Sequence, residues 1–148
     1  MKPLVFIVED DLVALNNLKH ILEVNFYEVI TAKNGKIALD LLSSLDRIPE
    51  LIISDITMPK MNGYDLFKAV SGNQILSQIP FIFLSGLQTP EDIRFGKMLG
   101  VDDYLTKPFN VDDLLAIIAG KIARNKNTKE INEKIEVLLS SHNISIIP

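Results

Sequence analysis

An α/β fold, with a parallel sheet covered by helices on both faces, is what the sequence predicts. Three observations predict it. Five short apolar runs recur along the chain: LVFIV (4–8), YEVIT (27–31), LIIS (51–54), FIFLS (81–85) and DYLTK (103–107). The first, third and fourth are nearly continuous in apolar residues and rich in Val, Ile and Phe, as strands buried on both faces are. The segments between the runs carry helical spacing. A β-α unit repeated five times over about 122 residues implies parallel strands joined by crossover helices.

Each element has local support. After the first run, residues 12–24 place Leu15, Leu18 and Leu22 on one helical face, with Asp11 as N-cap or first-turn acid. Asn34 is placed to cap GKIALDLL, where residues 35–45 set Ile37, Leu41 and Leu45 on one face. Met58-Pro59 and Asn62-Gly63 read as loop geometry, and Met61 as packing or surface. Thr89-Pro90-Glu91-Asp92 gives a cap, a proline at the first helical position and acids in the first turn. Asn110 caps VDDLLAIIAGKIA, with Asp113 in the first turn.

Composition narrows the function. The 148 residues suit one domain with a full core, residues 1–122, and 47% are apolar. A net charge of −4 argues against general binding to a phosphate backbone. Without cysteine there is no disulfide, thiolate zinc site or thiol chemistry. The opening apolar run of five residues is too short for a signal peptide or a membrane span, so a soluble cytoplasmic protein is expected. There is no glycine-rich phosphate loop and no solenoid repeat.

Residues 123–148 differ in character. ARNKNTKE is polar and linker-like; INEKIEVLLSS returns to helical spacing through Ile131, Ile135, Leu138 and Leu139, with Glu130 and Lys134 at i, i+4. The segment reads as a C-terminal linker or an amphipathic helical extension. It is too short for a helix-turn-helix effector, so no DNA-binding module is expected in this chain. His20 and His142 have no partner at metal-ligand spacing.

Ligands of open α/β sheets bind beyond the carboxyl ends of the strands. The first strand ends there on Glu9, Asp10 and Asp11, the third on Asp55, the fourth on Ser85-Gly86 and the fifth on Lys107-Pro108. The second offers only Thr31-Ala32. Crowded carboxylates raise one another's pKa, and a hard divalent cation relieves them; magnesium takes one or two carboxylates plus substrate phosphate. Lys107 supplies a positive point charge for phosphate oxygens and Ser85 a hydroxyl. A carboxylate nucleophile in such a site forms an aspartyl phosphate, and Asp55 is the central candidate. An aspartate after a strand is, taken alone, more often a turn former or cap. Glu9, Asp10, Ser85 and Lys107 around it reverse that reading.

FIVEDD (6–11), LIISDITMPKMNGYDL (51–66), FIFLSG (81–86) and GVDDYLTKPF (100–109), in this order and spacing, resemble the receiver domain of two-component response regulators. The resemblance covers residues 3 to about 122. It implies a flavodoxin-like sheet of five parallel strands in the order 2-1-3-4-5, flanked by five helices. It implies Asp55 as phosphoacceptor, Asp10 as a direct Mg2+ ligand, Glu9 as a ligand directly or through water, and the Thr57 carbonyl as another. Ser85 is implied as the switch hydroxyl, Tyr104 as the aromatic that moves inward with it, and Lys107 as the phosphate-contacting lysine before a cis proline. Gly86 leaves the site open to a donor. The implied donor is a phosphohistidine on a sensor histidine kinase or histidine phosphotransfer protein. The implied output is a partner protein or domain at the face of the fourth helix and fifth strand, with a homodimer as a further candidate. The chain would catalyse only its own phosphorylation and dephosphorylation.

Two departures stand out. Glu9 occupies a position where the family commonly has aspartate, and the resemblance implies that the Thr57 side chain lies near the path of an attacking water, which bears on dephosphorylation rate. Thr57 also counts against an aspartyl-phosphate hydrolase, which needs a second acid two residues after the nucleophile. The intact set of Asp10, Asp55, Ser85 and Lys107 counts against a pseudo-receiver acting only by binding. The lack of a phosphate loop counts against a flavin-binding domain.

Overall fold

A computed structural model describes residues 1–86 and 89–142. The elements in chain order are β1 (Leu4–Val8), α1 (Leu12–Val24), β2 (Glu28–Ala32), α2 (Gly35–Leu42), β3 (Leu51–Ser54), α3 (Gly63–Ser71), β4 (Phe81–Ser85), α4 (Pro90–Met98), β5 (Asp103–Thr106) and α5 (Val111–Ser141). A short 3-10 turn, Leu76–Gln78, precedes β4. The strands pair in parallel in the order β2-β1-β3-β4-β5, as the resemblance implied. β2 starts and ends one residue later than the apolar run suggests, and Lys107 is the first residue beyond β5.

Alternation along the strands builds two cores, because successive side chains leave opposite faces of the sheet. Phe6 and Val8 of β1 join Ile52, Phe83 and Leu66 under α2 and α3. Val5 and Ile7 join Leu18, Leu22 and Leu114 under α1 and α5. The sheet is thus covered on both faces, which is why β1, β3 and β4 are buried throughout.

The helix starts follow their caps. Asp11 accepts from the backbone N–H groups of Val13 and Ala14, Asn34 from Ile37, Thr89 from Asp92 and Asn110 from Asp113. Asn62 does the same for Asp65, so Asn62-Gly63 is not loop: Asn62 is the N-cap of α3 and Gly63 its first residue. α1 buries Leu15, Leu18 and Leu22 as its spacing predicts. α2 follows its predicted face only in part, since Leu41 and Leu45 pack against the core but Ile37 does not. Gly35, Ala38 and Leu42 turn inward, while Ile37 is 39% exposed and Leu41 and Leu45 are only half-buried. The start of the helix is pinned, since the Gly35 N–H donates to the Met61 carbonyl at 3.2 Å and a Cβ on Gly35 would stand 2.6 Å from that oxygen. Close approach to Met61 selects glycine at the first position of α2.

α5 runs unbroken from Val111 to Ser141, through the polar stretch read as linker-like. Nothing in that stretch stops a helix already formed: it holds no Gly or Pro, and extension avoids the cost of nucleation. Residues 126–138 are exposed on every side. The sequence NISIIP (143–148) lies outside the described residues, as do Leu87 and Gln88.

Candidate functional site

β1, β3 and β5 bring their carboxyl ends together and deliver three carboxylates and one ammonium to one place. Glu9 follows β1, with its N–H donating to the Ala32 carbonyl at 3.0 Å. Asp55 follows β3, its N–H donating to Val8 at 2.9 Å. Lys107 follows β5, its N–H donating to Ser85 at 2.8 Å, and its peptide bond to Pro108 is cis. The backbone ladder therefore fixes all three before any side chain interacts.

The Lys107 Nζ donates to Glu9 Oε1 at 2.9 Å and lies 3.7 Å from Asp55 Oδ2. Oxygens of Glu9, Asp10 and Asp55 all lie within 4.8 Å of one another. Glu9 is buried, Asp55 half-buried and Asp10 exposed. Burial, and then the hydrogen bond and charge of Asp55, push the Glu9 carboxyl up to about 7, against the opposing pull of Lys107. Burial works against the Lys107 ammonium, but the Glu9 hydrogen bond and the Asp55 charge outweigh it and hold its pKa above the ordinary value.

The loop after Asp55 is held at both ends. Asp55 Oδ1 accepts from the Ile56 N–H at 2.7 Å, and the Gly63 N–H donates to the Ile56 carbonyl at 2.7 Å. A Cβ on Gly63 would lie 2.2 Å from the Asp55 carbonyl oxygen, so α3 can begin against the acceptor only with glycine there. Sequence reading missed this; its one signal was a glycine directly after a capping asparagine. Thr57 is exposed on the loop.

Ser85 and Tyr104 form a second group at the ends of β4 and β5. Ser85 is 2% exposed, and it lies close enough to the Tyr104 phenol to act on it. Burial, followed by Tyr64 and Asp92, pushes the Tyr104 phenol up to about 12, while the Ser85 bond pulls the other way. Asp55 also acts on this phenol through its charge, which places the two groups within one electrostatic field. Among the described residues, none would come within 4 Å of a Cβ on Gly86. An apolar cavity of about 350 Å³ adjoins the site between α1 and Phe109, bounded by Glu9, Asp55 and Lys107.

The donor set fits a divalent cation. All three side chains offer hard oxygens, and the Glu9 carboxyl, raised first by burial and then by Asp55, is one whose charged form a nearby cation would favour. Among the described residues, no helix is long and apolar enough to cross a membrane.

The family model for the response regulator receiver domain matches residues 5–119. The chain is 39% identical over 118 residues to the transcriptional regulatory protein CrdR of Helicobacter pylori, covering 80% of this chain and 54% of that protein. It is 37% identical over 113 residues to the two-component response regulator ORR3 of Oryza sativa, covering 76% of this chain and 86% of that one. Among solved structures, the signal receiver domain of a signal transduction histidine kinase from Syntrophus aciditrophicus superposes with a TM-score of 0.76 at 36% identity, over 82% of this chain and 90% of that one. The chain spans about half the length of several curated relatives it matches.

Proposed function

This chain belongs to the response regulator receiver domain family, and from that premise we propose that Asp55 is the residue through which it works as a phosphoaccepting switch. The observation that carries the reading is the Lys107 ammonium, 2.9 Å from Glu9 and 3.7 Å from Asp55 at the edge of a three-carboxylate cluster. A carboxylate oxygen of Asp55 attacks the phosphorus of a phosphohistidine. The new O–P bond forms as the N–P bond breaks, and the imidazole nitrogen keeps the electron pair. Lys107 offsets charge on the transferred oxygens, and the Ser85 hydroxyl, at the carboxyl end of β4, is the group drawn toward them. Glu9, Asp10, Asp55 and the Thr57 carbonyl would hold Mg2+, which supplies further charge neutralisation when bound.

In this reading the donor is a sensor histidine kinase or a histidine phosphotransfer protein, and the output is a protein or domain meeting α4 and β5. Residues 1–122 form the receiver and 123–148 an appended segment, whose exposed Ile131, Ile135 and Leu138 suit a homodimer. No element of this chain is assigned to DNA.

Intact mass measured after incubation with Mg2+ and a small acyl phosphate tests the assignment. A single phosphate adduct is expected, absent in Asp55→Asn. An adduct that persists in Asp55→Asn, or none in the unaltered protein, would overturn it.

A further inference from the structure

Tyr104 lies on β5, an edge strand, yet its residue is only 7% exposed. Its ring packs edge-on to Phe83 with centroids 6.2 Å apart, and its hydroxyl meets Ser85. The ring also passes α4 at Gly96, the buried residue of that helix. A Cβ on Gly96 would stand 2.6 Å from Tyr104 Cδ2 and 2.8 Å from Cε2. Carbon atoms do not tolerate such contacts, and the ring is what would give, since outward rotation from an edge strand leads to solvent. Gly96 has ordinary helical backbone, so no left-handed conformation asks for glycine. Inside a helix glycine is a poor choice on propensity alone. The ring of Tyr104 is the feature that accounts for it.

The same turn of α4 reaches this ring by a second route. Phe95, beside Gly96, packs on Tyr64 at 4.8 Å, Tyr64 packs on Phe83 at 5.5 Å, and Phe83 packs on Tyr104. We propose that Gly96 is a positioning residue of the switch: the gap left by its missing side chain is the seat that admits the Tyr104 ring and so brings its hydroxyl to Ser85. The proposal rests on reading Ser85 and Tyr104 as switch groups. With the ring seated, α4 is locked to β5 and the phenol stands on the Ser85 side of the sheet edge. With the ring out, α4 loses a contact on its buried side.

Gly96→Ala tests the seat. Carbon-13 labelling of the tyrosine rings and quenching by acrylamide report where Tyr104 lies, and both should shift toward solvent in the variant. Melting curves close a cycle with Tyr104→Ala. Once the ring is gone, Gly96→Ala should raise the melting temperature through helix propensity, whereas in the unaltered protein it should lower it. In adduct formation with the acyl phosphate, Gly96→Ala should move the rate in the same direction as Tyr104→Ala and add nothing to it in the double variant. An unchanged ring environment, or an equal rise in melting temperature in both backgrounds, overturns the proposal. The ring and melting measurements need no phosphate, so they decide the role of Gly96 independently of whether Asp55 accepts one.

Discussion

Lys107 donates its short hydrogen bond, 2.9 Å, to Glu9 and stands farther, at 3.7 Å, from the proposed acceptor Asp55. The lysine therefore balances the buried glutamate first. Replacing it with Met leaves Glu9 buried without its counter-charge. Lys107 is 29% exposed, so the full penalty of a broken buried pair does not apply, and a loss of about 1 kcal/mol is expected at pH 8. The loss should shrink at pH 5, below the Glu9 pKa of about 7, where Glu9 takes a proton in either protein. Urea unfolding in the presence of a chelator measures both.

Gly63→Ala should be far more damaging than a surface glycine change. Its methyl would meet the Asp55 carbonyl at 2.2 Å, a backbone atom that cannot rotate away. The expected cost is about 3 kcal/mol, the upper end for overpacking. Circular dichroism melts give the stability, and loss of adduct at protein concentrations where the variant remains folded gives the effect on the site.

Phe26 holds φ 69 with its side chain 73% exposed, at the turn between α1 and β2. A bulky L-residue is strained in that region and this one regains little by packing. Phe26→Gly should raise stability by about 0.5–1 kcal/mol, the relief of strain exceeding the added unfolded-state entropy. An unchanged or lower unfolding free energy in urea would contradict this.

Tyr104 carries a pH signature. Its phenol rises from 10.0 in the unfolded chain to about 12 in the fold, so the folded state favours the neutral form. That contribution is fully present below pH 10 and is lost as pH rises toward 12. The highest step of a phenolate absorbance titration should vanish in Tyr104→Phe, and the variant should lose less stability across that window.

The far end of α5 should be dispensable for the fold. Residues 126–138 are exposed all round, and an isolated helix of that length is marginal in water. A chain ending at Lys129 should unfold within about 0.5 kcal/mol of the parent while losing far-ultraviolet helix signal. If the segment pairs two copies, sedimentation should show the parent alone shifting with concentration.

Much of this molecule is legible from residue order because its signals are local. Strand runs show as apolar continuity, and Asp11, Asn34, Thr89 and Asn110 act on N–H groups within three residues of themselves. Glu9, Asp10, Asp55 and Lys107 could be gathered because strand ends in a parallel sheet share an edge. Asn62 was misread as loop because the same Asn-Gly pair serves a turn or a cap, and the sequence does not say which. Apolar spacing places Leu41 and Leu45 of this segment against the core but does not show that Met61 crowds the start of α2 and requires Gly35 there.

What the sequence by itself determined is the alternation of strands and helices, their starts, and which polar groups stand at the carboxyl edge, since periodicity and capping depend on neighbours along the chain. Only the tertiary structure decided that Lys107 leans to Glu9 before Asp55, and that Gly63 and Gly96 are shaped by Asp55 and Tyr104. Those outcomes turn on distances between segments far apart in the chain. A glycine's missing side chain acquires a purpose only when another element comes to occupy its place.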